Sequence, residues 1–201
     1  TVVFANIAYK ANDSTINPNC MNMETVGQFA QFQFKIPTLP PGYALECGSA
    51  NTYEIHLLYS DKPSVNISDD HKSLQDNLEG KISQGGIYLF IFDEKDFLGQ
   101  QRFESDIGDT NKLIVERYDA AIKENPNLNL QLIQINGRTA WANESCTNCG
   151  QQSIDFSDGK VIENKFEVPT RIYWYDENGV VYYLKANMPL DTLKQVAESL
   201  K

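Results

Sequence analysis

An α+β fold built mainly on antiparallel strands is predicted, and three observations predict it. Apolar residues alternate with polar ones in most segments, the period of a half-buried strand. Turn signals separate those segments, the strongest being Asn136-Gly137. Only two long segments carry a helical apolar stripe, one internal and one C-terminal, so the regular strand–helix alternation of a parallel sheet is absent.

The elements follow in order. Residues 1–9 hold β-formers without a breaker and read as a strand; residues 12–19 are polar, contain Asn17-Pro18 and read as a linker. A short helix is expected within 22–31, with Val26, Phe29 and Ala30 on one face. Phe32, Phe34 and Ile36 alternate with Gln33 and Lys35, which predicts a half-buried strand. Pro37, Pro40 and Pro41 then withdraw backbone donors, and Pro41-Gly42 suits a type II turn before Tyr43.

Residues 44–47 and 52–59 read as a hairpin, with Tyr53, Ile55, Leu57 and Tyr59 on one face. Residues 60–84 are polar and read as a long loop or edge excursion. The most hydrophobic strand is 86–92, expected to be central and buried on both faces; 97–103 reads as another. Asp109 or Thr110 caps a helix to about residue 124, striped by Leu113, Ile114, Tyr118, Ala121 and Ile122 and ended by Asn125-Pro126. Leu128, Leu130 and Leu132 alternate with Asn127, Asn129 and Gln131 in a strand that Asn136-Gly137 turns back into 138–143. Residues 144–165 read as loop, 168–175 and 180–185 as the last hairpin, and 189–200 as a helix lined by Leu190, Leu193, Val196, Ala197 and Leu200. The expected organisation is an arm and linker over 1–23 and one α+β domain over 24–201.

The 201 residues suit one domain with an appendage, and 41% hydrophobic with 22% charged residues is the globular range. A net charge of -10, a pI of about 4.6 and the lack of a basic block exclude a phosphate-tracking surface, so no nucleic-acid partner is expected. No run reaches the ~18 apolar residues of a spanning helix, so no transmembrane segment is expected. No charged, then apolar, leader is visible at Thr1, and the expectation is that a signal or anchor has been removed.

The two ends of the domain share a pattern. Its front is Phe32-x-Phe34-x-Ile36-Pro37-x-Leu39-Pro40-x-Gly42-Tyr43. Its back is Ile172-Tyr173-Trp174-Tyr175-Asp176-x-x-Gly179, then Tyr182-Tyr183-Leu184, then Leu193-x-x-Val196-Ala197-x-Ser199-Leu200, with Ile135-Asn136-Gly137 between. Over residues 24–201 this resembles the extracytoplasmic domain of unknown function 4367, of the RseB/LolA-like, lipoprotein-sorting-like group. The resemblance implies a curved antiparallel sheet like an open half-barrel, helices on its concave side, a location outside the cytoplasm and no assigned catalytic residue. The arm at 1–9, the 60–84 excursion and the Cys146/Cys149 loop depart from the pattern.

Four cysteines, Cys20, Cys47, Cys146 and Cys149, are the disulfide candidates and permit three connectivities. A Cys20–Cys47 bridge would staple the arm to the domain, and Cys146–Cys149 would close a tight loop. The C-x-x-C of the latter also admits redox and metal readings, although redox chemistry wants it at a helix start and a Cys₄ zinc site usually shows two paired knuckles. Asn12, Asn66 and Asn143 head sequons and are glycosylation candidates. Asp69-Asp70-His71, His56 and Asn19-Cys20-Met21-Asn22-Met23 contain metal-ligating residue types, but a solvated acidic loop, a polar strand residue and a thin set of soft ligands are the plainer readings, and no metal or cofactor is expected.

No nucleophile elbow, zinc-protease motif, phosphate loop or dinucleotide fingerprint is found in the sequence. The expected function is therefore non-enzymatic binding or sensing at the cell exterior. Trp141, Tyr173, Trp174 and Tyr175 are the candidates to line a cavity for an apolar or peptide ligand. The alternative is a structural subunit of an extracellular filament, self-associating by donation of the strand at 1–9 to a neighbour.

Overall fold

The computed structural model describes residues 20–62, 81–94, 109–124, 126–154 and 161–200. The arm at 1–9, its linker and the expected strand at 97–103 lie outside them. Seven strands form one open antiparallel sheet: β1 (Ala44–Ala50), β2 (Glu54–Ser60), β3 (Ile87–Asp93), β4 (Leu130–Ile135), β5 (Arg138–Asn143), β8 (Thr170–Tyr175) and β9 (Val180–Ala186). Their lateral order is β1-β2-β3-β9-β8-β5-β4. A separate two-stranded ribbon comprises β6 (Cys146–Ile154) and β7 (Val161–Val168).

Turn chemistry sets the hairpin registers. Asn136 and Gly137 take positive φ of 49° and 80°, the two-residue type I′ turn that matches strand twist, so Ile135 pairs with Arg138. Between β8 and β9, Gly179 supplies φ 82°, while the Asp176 carboxylate accepts from the N–H groups of Asn178 and Val180. Asn51 does the same between β1 and β2, accepting from Tyr53 and Glu54. Tyr53 consequently belongs to the turn and is 38% exposed, rather than sharing the face of Ile55, Leu57 and Tyr59.

The period of two sorts side chains cleanly between the two faces. Ile55, Leu57, Ile87, Leu89, Ile91, Ile172, Trp174, Tyr182 and Leu184 point to one side and form the main core. Three segments seal it. The first is α1 (Met23–Phe29), capped by the Asn22 side chain on the Thr25 N–H, which buries Val26. Phe29, expected on the same stripe, is 52% exposed, because Val26 is the one residue the helix buries fully. The third seal, α3 (Leu190–Glu198), inserts Leu190, Leu193, Val196 and Ala197, as its apolar stripe predicts.

Between them runs the stretch 32–39, and here the expected strand is corrected. Phe32, Phe34 and Leu39 pack on the core, but the backbone joins no sheet. Side chains hold it instead: the Lys35 N–H donates to the Tyr182 hydroxyl at 3.0 Å, and the Ser199 hydroxyl accepts from the Thr38 N–H and donates to its carbonyl. The prolines leave too few donors for a ladder, and the strap lies across a sheet face rather than along an edge. It ends in the expected turn, with Gly42 at φ 91° and the Tyr43 N–H on the Pro40 carbonyl.

On the opposite face lies α2 (Thr110–Glu124), capped by the Asp109 carboxylate on the N–H groups of Asn111 and Lys112. It packs Ile114 and Leu113 against Phe92, Tyr175 and Val181. β3 is central, as predicted, but not sealed on both sides: Tyr88, Phe90 and Phe92 are only half-buried on this second face. In β4 Ile135 is buried and half-buried Ile133 packs beside it on the core, whereas Leu130 and Leu132 turn to the α2 side and Leu132 is 41% exposed.

Residues 144–165, read as loop, contain β6 and the start of β7. The pairing Cys146↔Val168 continues that of Asn143↔Arg171, so β5–β6 and β7–β8 form one long hairpin bent at Glu144-Ser145 and Pro169. The bend is pinned by buried Asn143, whose amide donates to the carbonyls of Glu144 and Pro169, and by Thr170, which accepts from the Ser145 N–H.

Candidate functional site

The second face of the sheet carries an aromatic array. One cross-strand row spans all seven strands: Ser49, His56, Phe90, Tyr183, Tyr173, Trp141 and Leu132. Its rings touch. His56 and Phe90 have centroids 4.9 Å apart, Tyr183 and Tyr173 6.3 Å, and Tyr173 and Trp141 5.4 Å with planes 14° from parallel. Each such pair contributes about 0.5–1.5 kcal/mol beyond its buried area. All five rings are half-buried, whereas those of the main core are sealed.

Polar groups anchor the row at three places. At the β2 end, His56 Nδ1 lies 2.6 Å from the Tyr88 hydroxyl, and its Nε2 is 3.7 Å from the Glu54 carboxylate. In the middle, the Arg171 guanidinium lies 6.0 Å from the Trp141 ring and donates through Nε to Asn143 at 2.7 Å. Toward α2, the Arg117 guanidinium sits 5.7 Å and 5.5 Å from the Tyr173 and Tyr175 rings. It donates to the Tyr173 hydroxyl and, at 3.1 Å, to Glu94, whose other oxygen accepts from Tyr175. Burial, followed by the nearby Tyr173 and Glu94 oxygens, pushes the Tyr175 phenol far above its ordinary range.

Burial lowers the pKa of His56 below its ordinary 6.5, and Glu54 only partly opposes this. The folded state therefore binds fewer protons than the unfolded chain as pH falls past about 6.5. Stability is fully present above that pH and declines below it. Thermal melts from pH 7.5 to 5.5 are expected to show a steeper loss for the wild type than for His56→Gln; equal slopes would refute the assignment.

The four residues expected to line one cavity are divided by the sheet. Trp141, Tyr173 and Tyr175 belong to the aromatic face. Trp174 points the other way, is 4% exposed and stacks on Tyr182 at 5.3 Å in the main core. Consecutive strand residues face opposite sides, so Tyr173-Trp174-Tyr175 never shared a surface. Beside Trp174, a crevice of about 40 Å³ is bordered by Lys35, Asp176, Glu177 and Arg138, with Lys35 and Glu177 paired at 2.8 Å. It has room for a few waters and not for an apolar ligand.

Cys20 is bonded to Cys47 and Cys146 to Cys149. Cys146 and Cys149 lie within strand β6, away from any helix start that would stabilise a thiolate. Cys20 is consumed by its bridge and Met21 and Met23 pack on the core, so that cluster presents no soft ligand set. Among the described residues no group of three or more His, Cys, Asp or Glu side chains could hold a metal ion. Asn12, Asn66 and the Asp69-Asp70-His71 run lie outside the described residues. No described helix is long and apolar enough to cross a membrane.

Sequence reasoning missed Tyr183, Phe90, Tyr88, Arg171 and Arg117. Each of the first four occupies the alternate position of a strand whose other face fills the core. Their alternation is legible, but their alignment into one array needs the pairing of strands far apart in sequence. No protein-family model, curated protein or solved structure matches the chain.

Proposed function

We propose that this chain is a non-enzymatic extracytoplasmic binding protein whose recognition surface is the aromatic face of the sheet. The observation that carries this reading is the half-buried row His56, Phe90, Tyr183, Tyr173 and Trp141. Trp, Tyr and Arg are the residues that dominate contact energies at recognition surfaces, because they pair large apolar area with fixed polar tips. The two disulfides support a location in an oxidising compartment. The resemblance to domain of unknown function 4367, with its half-barrel curvature, belongs to the same reading.

Trp141 and Trp174 are the only two tryptophans, which makes the test direct. In a Trp174→Phe variant, titration with extended apolar peptides or long-chain fatty acids is expected to shift Trp141 emission saturably, and Tyr183→Ala should abolish the shift. A response seen only from Trp174, in Trp141→Phe, would move the site to the core face. Silence from both would reject a binding surface of this kind.

A second reading, a subunit of an extracellular assembly, is favoured by one specific observation. Among the described residues, the β4 edge of the sheet carries none of the devices that usually block strand addition.

A further inference from the structure

Among the described residues, β4 is paired on one side only, with β5. Edge strands are usually protected by charge, proline, a bulge or a covering segment. Leu130-Gln131-Leu132-Ile133-Gln134-Ile135 contains no charge and no proline, and its register to β5 is unbroken. Gln131, Leu132 and Gln134 are exposed. The opposite edge differs at every point. β1 is bulged between Leu45 and Cys47, bridged by Met21 at Gly48 and tied to Cys20, and Glu46 pairs with Lys81 at 2.7 Å.

The outward groups of β4 follow from its turn. In a two-residue hairpin the flanking pair, Ile135 and Arg138, exchanges both hydrogen bonds, so Ile133 and Gln131 also bond inward to β5. Leu130, Leu132 and Gln134 therefore direct their N–H and C=O groups outward. The Leu130 carbonyl accepts from the Tyr118 hydroxyl at 3.3 Å, from outside the hairpin, in keeping with that phase.

We propose that this edge accepts residues 1–9 of a second copy of the chain as an added strand. The inference rests on the assembly reading above and names its acceptor. Thr1-Val2-Val3-Phe4-Ala5-Asn6-Ile7-Ala8-Tyr9 is, like β4, free of charge and proline, in a chain whose net charge is -10. Cys20 and Met21 hold the root of this segment beyond β1, at the far edge of the sheet. At ~4.8 Å per strand the sheet spans about 29 Å from β1 to β4, and the Met21 bridge and the added strand each lie about one spacing further out. The ten residues from 10 to 19 reach only ~33–36 Å when fully extended. Pairing with the copy's own β4 would consume that whole length with nothing left to cross the sheet face. A neighbour's β4 imposes no such demand. Because donor and acceptor are different surfaces, the contact is head-to-tail and each added copy presents a fresh edge for the next.

The test uses the full chain, by light scattering on a sizing column and negative-stain imaging. Leu132→Pro removes one outward N–H without costing a β4–β5 bond. A Val2→Pro/Val3→Pro double variant removes one inward donor from the added strand in either phase, since consecutive N–H groups point opposite ways. The wild type is expected to form open-ended multimers, and each variant to be monomeric with unchanged circular dichroism. Mixing the two variants should yield a one-to-one pair that grows no further, since one supplies the only intact donor and the other the only intact edge. Wild-type multimers indifferent to both variants would overturn the β4 assignment and leave the assembly reading standing. A wild type that stays monomeric would overturn both, and a closed dimer lost only in Leu132→Pro would replace donation by β4–β4 pairing.

Discussion

Replacing Cys20 and Cys47 together by alanine is expected to lower the unfolding free energy by about 3.5 kcal/mol, the closure entropy of a loop of this length. The bridge spans a sequence separation of 27 residues and encloses α1, the strap and the turn at Gly42. What it restrains is poorly restrained otherwise. The Met21 N–H and carbonyl bond Gly48 at 2.7 and 3.0 Å, α1 buries only Val26, and the strap hangs on side-chain hydrogen bonds. Gly48 makes the close approach possible: a Cβ there would lie 2.7 Å from the Met21 carbonyl oxygen and 2.8 Å from Val26. The Cys146–Cys149 bridge spans only 3 residues, at the register shift of β6, and the same entropy gives roughly 1.5–2 kcal/mol. Denaturant titration of the two double variants measures the difference. A larger loss at Cys146/Cys149 would mean that closure entropy does not set the order.

Asn143→Ala is expected to cost about 2–4 kcal/mol, although the residue heads a sequon and stands at the very end of the strand expected over 138–143. Its side chain is 1% exposed and fully used. The amide donates to the carbonyls of Glu144 (2.9 Å) and Pro169 (3.0 Å), and its oxygen accepts from Arg171 Nε at 2.7 Å. Truncation strands two carbonyls and one guanidinium N–H at the corner where the long hairpin bends. Asn143→Asp should be no better, because a carboxylate cannot donate to either carbonyl. Denaturant titration checks both variants. The same geometry opposes a glycan at this position, since the amide nitrogen that would carry it already makes two hydrogen bonds. Peptide mass spectrometry should find Asn143 unmodified in folded protein, and a glycan there would refute the burial.

Much of the fold is written locally. Asn136-Gly137, Asp176 to Gly179 and Pro41-Gly42 specify their turns through φ, whatever surrounds them, and the structure has each as read. The α3 stripe and the Asp109 cap are equally local, because a 3.6-residue period and one carboxylate suffice. Where the reading failed, alternation was real but its destination was not local. Phe32, Phe34 and Ile36 alternate as a strand does, yet the strap crosses a face already made of β9 and α3. Leu130 and Leu132 are the more conspicuous apolar residues of β4, but the turn phase gives the core to Ile133 and Ile135.

The candidate site shows the same division more sharply. The residues of each strand determined which rings lie opposite the core, because side chains alternate with a period of two. They did not determine that His56, Phe90, Tyr183, Tyr173 and Trp141 form one row. That needed β3 to pair with β9 and β5 with β8, contacts between segments dozens of residues apart. Nor did they show that Trp174 leaves its two tyrosine neighbours for the core. By itself the sequence determined the turns, the helix faces and the cysteines available for bridging. The tertiary structure alone decided which cysteines pair, which strands stand at the edges of the sheet and which aromatics meet, because each depends on strand order, and strand order is a property of the whole chain.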